Sequence, residues 1–550
     1  MTTSEGDLAA LAAALLTSVD ELTNQERRLI SPRLRPSPKL VSYTRGLIRA
    51  GEDPLGDAFC AIRAPERRRD LGATYTPELT VNAMIAWAAR EPSKPARIVD
   101  PGAGSGRFLL AAAERIPHAQ LIGVDVDPLA TLLLRANATV RGFADRLSVK
   151  LIDFRKLTLP RITKPTLFVG NPPYVRHHQI SAAWKEWLTV TARSFGFKAS
   201  SLAGLHIHFF LKTRELSRAG DYGVYITAAE WLDVNYGSLL RKMLADGLGG
   251  RSLYLIDPKA QAFADAFTTS AITCFGIGNR PEQFTIRTVE SVAELAPLRG
   301  GQSIRWEEIA ASSKWSKFAK PIAAKPPGMI ELGELFRVHR GTVTGNNGVW
   351  IENEKSVGIP VRYLRPSITR ARELLSAGKE LRSTSALKCV IDLPTDLDEL
   401  EASERQVVTK FLRWAKEQGV ADGYVARHRK AWWAVQFREP APILCTYMAR
   451  RAPAFVRNTA GAYHLNIAHG LYPRTSLPEA SLRLVADYLR DHVDPTSGRT
   501  YAGGLVKFEP KELERIAIPP LEQLHARAAE KMDTKAVGSR RPDVGEPLST

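Results

Sequence analysis

Four short segments carry side chains whose types and spacing could do chemistry. The first, Arg97-Ile98-Val99-Asp100-Pro101-Gly102-Ala103-Gly104-Ser105-Gly106, ends an apolar run on a carboxylate and then places glycines at alternate positions. Glycines there let the backbone turn sharply and approach a ligand closely. The second, Leu121-Ile122-Gly123-Val124-Asp125-Val126, brings Asp125 to the end of a strand, where an acidic side chain can take a ribose diol. The third ends in Asp153-Phe154, a carboxylate and a ring suited to an adenine amine and its face. The fourth is Gly170-Asn171-Pro172-Pro173-Tyr174. Its prolines fix their own φ, restrain the residues before them and lack donors, so the Asn171 side chain and the Pro172 carbonyl can point outward as acceptors. Two acceptors that hold the hydrogens of a planar ring amine off-plane favour the pyramidal, nucleophilic nitrogen of a transition state. Tyr174 adds a ring on which a flat substrate could stack.

Asp100 separates this pattern from a dinucleotide site, because a carboxylate ending the first strand would repel a pyrophosphate. S-adenosylmethionine suits it as cofactor: an adenine, a ribose diol, an ammonium and a sulfonium, with no phosphate. The bland readings, a glycine turn closing an ordinary βα unit and a proline strand terminator, lose weight because the segments occur together.

These residues need elements to hold them. Short β-branched runs at Ala96–Asp100, Gln120–Val126, Leu147–Phe154, Thr166–Val169, Tyr222–Ala228, Ser252–Ile256 and Ala271–Gly276 alternate with helical periods. That alternation predicts an α/β fold with a doubly wound sheet. Residues 1–70 read as a helical extension, with Leu8, Leu11, Leu15, Val19 and Leu22 at helical spacing on a packing helix. The expected domains are that extension, a catalytic domain over 71–285, an irregular C-terminal α+β domain over 330–525, and a disordered tail over 537–550.

Composition bounds the class. The chain has 550 residues, 44% hydrophobic and 24% charged, enough for two or three cores. No stretch approaches about 20 consecutive apolar residues, so a soluble, cytoplasmic protein with no membrane association is expected. Its four cysteines, Cys60, Cys274, Cys389 and Cys445, lie far apart, against a disulfide framework or a cysteine zinc site. The net charge of +18 favours a polyanionic partner. His177-His178 and His206-Ile207-His208 lack accompanying carboxylates or cysteines at ligand spacing, so no metal is expected; they either face phosphates or complete packing.

In this order the segments resemble the adenine-N6 DNA methyltransferases, specifically the Type II modification enzymes whose recognition region follows the catalytic domain (the gamma arrangement). Leu71-Gly72-Ala73-Thr74-Tyr75-Thr76-Pro77 looks like the family's Thr-Pro motif, whose loop covers the methionine moiety. The resemblance implies a Rossmann-like S-adenosylmethionine-dependent domain followed by a target-recognition domain. It also implies roles: Asp100, Pro101, Gly102, Gly104 and Gly106 for the methionine and sugar, Asp125 with Val126 for the ribose, Asp153 and Phe154 for the adenine, and Asn171 to Tyr174 for the target base. The segment Gln261 to Ile272 is similar to one carrying a second aromatic clamp; Phe263 is the first choice and Phe267 the second, and either could be core. The implied activity is methylation of a specific duplex DNA by base flipping and direct in-line transfer, as the modification component of a restriction-modification or related system, with a separate endonuclease as an open partner. No nuclease signature is visible.

The stretch 421–460 carries seven Lys or Arg against two carboxylates, a net +5: Arg427, Arg429, Lys430, Arg438, Arg450, Arg451 and Arg457 against Asp422 and Glu439. Tyr424, Trp432, Trp433, Phe437, Tyr447 and Phe455 interleave. This reads as a nucleic-acid face, or as a solvated basic surface around an aromatic core. Arg340, Asn346 and Asn347 in a Gly-rich segment are further DNA-binding candidates. Two rivals stay open: the same pocket serves methyltransferases of RNA or of protein glutamine amides, and a catalytically inactive DNA-binding subunit could retain the fold. Cytosine N4 is a chemically conceivable target as well.

Overall fold

The computed structural model describes residues 4–63, 76–257, 269–319, 326–449, 452–493, 499–501 and 505–538. Two compact units follow one another along the chain, Met1–Ile322 and Ala323–Thr550.

In the first unit, β1 (Arg97–Pro101), β2 (Gln120–Asp125), β3 (Leu147–Leu151), β4 (Thr166–Gly170), β5 (Tyr222–Ala228), β6 (Gly250–Ile256), β7 (Ser270–Gly276), β8 (Gln283–Val289) and β9 (Gln302–Arg305) form one sheet. Its order is β3-β2-β1-β4-β5-β7-β6-β8-β9. Strands β3, β2, β1, β4 and β5 are parallel, and β7 runs antiparallel between β5 and β6. Successive residues feed opposite faces: Ile98 and Leu167 enter one core, Val99 and Phe168 the other. Burial on both faces is why Ile98-Val99 of β1 and Leu167-Phe168-Val169 of β4 are consecutive apolar residues rather than alternating ones. The winding direction reverses between β1 and β4, the point where ligands settle in open α/β sheets.

The sheet continues past residue 285. Phe284 and Ile286 on β8 and Ile304 on β9 join Trp306 and Trp315 in the same core, so the compact unit extends beyond the expected catalytic segment.

The N-terminal segment is helical: α1 (Glu5–Leu15), α2 (Asn24–Leu29), α3 (Pro38–Arg49) and α4 (Pro54–Ile62). Leu8, Leu11, Leu15 and Leu22 pack with Leu129, Leu132 and Leu133 of the helix Pro128–Val140, which follows β2. Val19 departs from the expected stripe. It lies beyond the end of α1, where helical spacing no longer applies, and is 49% exposed.

The second unit is α+β. Strands Phe336–Arg340, Ala468–Pro473, Ile443–Thr446, Phe455–Asn458 and Glu380–Leu381 form a five-stranded sheet in that order. The helix Glu479–His492 buries Leu482, Val485, Ala486 and Leu489 with Ile443, Phe455 and Leu471 of that sheet. The expected tail over 537–550 is helical at its first two residues, which close the helix Leu521–Gly538; residues 539–550 lie outside the described residues. Among the described residues no helix is long and apolar enough to cross a membrane.

Candidate active site

β1 delivers Asp100 to the reversal point with its side chain fully buried, and neither carboxyl oxygen meets a hydrogen-bond donor. Burial, and then the neighbouring Asp125 carboxylate, push its pKa well above the usual carboxylate range. A buried acid in this condition is stabilised by a cation arriving beside it.

The glycine loop folds over that acid. Gly102 and Ala103 donate N–H to the Val124 carbonyl at 2.7 and 3.0 Å, tying the loop to β2. Gly104 donates to Asp125 Oδ2 at 2.9 Å, and Asp127 N–H to Oδ1 at 3.0 Å. Burial raises Asp125 to about 6 while these backbone donors pull it back. Gly106, at φ 98°, opens the helix Arg107–Arg115, and a Cβ there would stand 2.4 Å from Leu134 Cδ1. At the end of β4 a Cβ on Gly170 would stand 2.4 Å from Asp100 Oδ1, so only glycine lets the two strand ends meet.

A cleft open to solvent lies above these strand ends. Thr76, Gly102, Gly104, Asp125, Val126, Phe154 and Asn171 line it, bringing seven expected site residues together. Asp100, Pro101 and Gly106 are buried in the strand end and loop and do not line the cleft. Asn171 Nδ2 donates to Thr76 Oγ1 at 3.1 Å, which holds the amide by its nitrogen and puts acceptor character at its other end. Pro172 is buried, and the half-buried Tyr174 packs against the core on one face of β1 and β4, burial pushing its phenol up. Pro77 stands at the start of the helix Glu78–Ala89. Thr74, Tyr75, Phe263 and Phe267 lie outside the described residues.

Asp153 is occupied. Arg155 clamps its carboxylate with Nε at 2.9 Å and Nη2 at 2.6 Å, and the same guanidinium stacks on Trp184 at 3.8 Å. Phe154, with Phe209 at 5.1 Å, supplies the aromatic wall instead. Ser105, inside the Asp100 to Gly106 loop expected to line the site, lines the cleft as well, and Phe59, Arg107, Asp127 and Phe209 join it although sequence reasoning missed them as site residues. For Arg107 a signal existed, since it follows the last loop glycine directly; Phe59 gave none.

The donor set fits S-adenosylmethionine. Asp100 offers an unpaired buried acid for an ammonium, Asp125 an acceptor for hydroxyls and Phe154 a ring for adenine, and Arg107 on the cleft lining is already paired with Asp53 and Asp57. His206 and His208 are buried, lowered by burial to about 4 and about 3 and therefore neutral; His208 stacks on Trp187. They complete packing.

In the second unit Arg340, Arg429, Gln436, Arg438 and His464 line a polar cleft. Arg429 donates to the Val343 and Thr344 carbonyls at 2.7 and 3.2 Å, while its Nη1 is buried without a partner. Arg340 lies over the Tyr447 ring at 5.1 Å. Lys430 is exposed, and Arg427 is exposed beside Asp422 at 3.6 Å. Asn346 caps the turn Asn347–Trp350 by accepting Gly348 N–H at 3.0 Å, and Asn347 accepts the Thr344 hydroxyl, so both have local structural work. The interleaved basic and aromatic reading needs correcting at three positions. Arg457 is 5% exposed and paired with Glu479 at 2.5 Å, Phe455 is core on the same strand, which is buried along its whole length, and Tyr447, in the link between two strands, is buried as well. Arg450 and Arg451 lie outside the described residues.

Three family models match the chain: N-6 DNA methylase over residues 51–206, Eco57I restriction-modification methylase over 166–259, and the C-terminal domain of the Type II methyltransferase M.Eco57I over 303–544. The chain is 49% identical over 533 residues to the Type II methyltransferase M.XamI of Xanthomonas campestris pv. amaranthicola, covering 95% of this chain and 99% of that one. It is 23% identical over 471 residues to the Type II methyltransferase M.AccI of Acinetobacter calcoaceticus, covering 82% and 85%. Among solved structures it is similar to the type IIG restriction endonuclease BpuSI, with TM-score 0.48, 15% identity, and coverage of 95% of this chain and 71% of that one.

Proposed function

Because the chain belongs to the Type II restriction-modification DNA methyltransferases of the N6-adenine family, we propose that it moves a methyl group from S-adenosylmethionine to N6 of an adenine flipped out of a specific duplex sequence. The observation that carries this reading is the meeting of two demands at one pair of strand ends: the unpaired buried acid Asp100 on β1 and the amide of Asn171 after β4.

S-adenosylmethionine bound in the cleft supplies an electrophilic methyl on a sulfonium. The protein's own work is placement. Asp100 balances the positive charge, Asp125 takes the ribose hydroxyls, and Phe154 with Phe209 shields the adenine ring from water. At the acceptor side, the Asn171 carbonyl oxygen and the Pro172 carbonyl accept the two hydrogens of N6, which turns its lone pair out of the ring plane. Tyr174 stacks on the flipped base and offsets part of the few kcal/mol that flipping costs. The polar cleft of Arg340, Arg429 and Arg438 in the second unit takes duplex DNA through its phosphates. As a modification component the enzyme's partner is a separate endonuclease of the same recognition sequence.

The test is methyl-aware long-read sequencing of DNA from a methylation-free host expressing the wild-type chain or Asn171→Ala. N6-methyladenine at one motif, present only with the wild type, is the expected result. Unmodified DNA from soluble, cofactor-binding protein would overturn the reading and turn attention to RNA or amide substrates.

A further inference from the structure

We propose that the N-terminal helical segment is a working part of the methyl-transfer site, with Asp53 as a positioning residue that ties the cofactor loop to Asn171. The inference rests on the functional reading above and deepens it.

Asp53 stands immediately before α4 and caps it, accepting Gly56 N–H at 2.9 Å. Capping occupies one acceptor. The same carboxylate takes three more donors: Ser105 Oγ at 2.5 Å, Arg107 Nε at 2.7 Å and Asn137 Nδ2 at 3.0 Å. Ser105 and Asn137 are each 1% exposed, and Asn137 also donates to the Ser105 carbonyl at 3.0 Å. Ser105 lies between the last two loop glycines and Arg107 directly follows them, so one carboxylate fixes the chain on both sides of Gly106. No slack remains: a Cβ on Gly56 would stand 2.0 Å from Asp53 Oδ2 and 2.6 Å from Ser105 Oγ.

Arg107 carries the restraint onward. Its Nη1 donates to the Thr76 carbonyl at 3.3 Å, and Thr76 Oγ1 accepts Asn171 Nδ2 at 3.1 Å. A continuous line therefore runs from Asp53 through Arg107 and Thr76 to the amide that is to hold the acceptor amine. Thr76, Ser105, Arg107 and Asn171 all line the cofactor cleft. A second strut stands beside the first: Arg63 lies over the Phe59 ring at 4.5 Å and pairs with Asp127, and both Phe59 and Asp127 face the cleft.

Glu26 supplies the contrast. It is fully buried in the same segment, accepts Thr23 N–H at 2.7 Å and Arg135 Nε at 3.0 Å, and is not among the residues lining the cleft. A segment that only props up the fold would respond alike to losing either carboxylate.

The test compares full-length wild type, Asp53→Ala, Asp53→Asn, Thr76→Val, the Asp53→Ala/Thr76→Val double variant and Glu26→Ala by thermal unfolding, calorimetric titration with S-adenosylmethionine, and steady-state methylation of duplex DNA. Asp53→Ala is expected to raise the cofactor Kd and KM about tenfold and to lower kcat about tenfold, with the KM for DNA unchanged. Asp53→Asn keeps a capping oxygen and recovers Tm but not cofactor affinity, since it no longer offers Arg107 a charged acceptor. Glu26→Ala lowers Tm and leaves the cofactor Kd alone. In the Thr76→Val background the kcat loss on removing Asp53 shrinks, because the line to Asn171 is already cut. A cofactor Kd within twofold of wild type in Asp53→Ala would overturn the positioning role, and kcat losses that simply multiply in the double variant would overturn the tie to Asn171. Absence of DNA methylation by the wild type would instead strike the functional reading, while the cofactor titrations still decide the role of Asp53.

Discussion

Exchanging Asp100 for asparagine should move stability and cofactor affinity in opposite directions. In the unfolded chain this carboxyl ionises near 3.8, and in the folded protein burial holds the proton on to much higher pH. Between those values the folded state binds a proton that the unfolded state has lost, so stability falls as pH rises. Asp100→Asn removes that slope, and because the amide stays polar but never ionises, the ligand-free protein near neutral pH gains about 1 kcal/mol. Binding goes the other way. A charge-assisted bond to an ammonium is worth about 1.5–3 kcal/mol, so its loss weakens the cofactor Kd roughly ten- to 150-fold. The wild type also binds more tightly as pH climbs through about 6, where Asp125 ionises, and releases protons on binding because both acids must give them up. Calorimetric titration from about pH 5 to about pH 8 in two buffers of different ionisation heat reads affinity and proton release together, and chemical unfolding of the ligand-free protein reads stability. An asparagine variant that binds within twofold of wild type, or whose ligand-free stability keeps the wild-type pH slope, would refute the assignment of a cation to this acid.

Other substitutions separate the remaining roles. Asn171→Ala should keep cofactor affinity and lose about 100-fold or more in kcat; near-normal turnover would end the proposed acceptor role. Tyr174→Ala should weaken capture of a flipped base by about 1–3 kcal/mol with little change in duplex binding, measured by fluorescence of 2-aminopurine at the target position. Arg429→Gln and Arg438→Gln should each flatten the dependence of log K for duplex DNA on log salt by about 0.9, on cognate and unrelated sequences alike; losses confined to the cognate sequence would mean base reading instead. Arg457→Ala should lower Tm by unpairing Glu479 while leaving that salt slope as it is, checked in the same titrations.

The sheet was legible because each of its first seven strands announces itself as a short β-branched run, and because the acid, the glycines and the Asn-Pro-Pro-Tyr motif fall at strand ends, where local sequence alone sets the turn. What stayed hidden were contacts between distant parts of the chain. Asp53 looks like a helix cap before Pro54, which it is, and nothing in its neighbourhood says that it also meets Arg107. Arg457 looks like one more cation in a basic stretch until Glu479 arrives from another element to bury it. Asp153 suggested an adenine ligand, but Arg155 two residues on was already its partner. The basic second unit shows the limit most plainly: residue types predict a surface for DNA, while inward or outward facing follows from strand pairing that composition does not encode.

The close approach of Gly170 to Asp100 has a mechanical consequence. The Asp100 carboxylate on β1 packs directly against the Gly170 backbone on β4, one residue before Asn171, because Gly170 has no side chain to hold it off. The two strands are also neighbours in register, Val99 opposite Phe168. A twist of the sheet at this joint would therefore shift Asp100 and Asn171, the two proposed holders, together rather than one against the other.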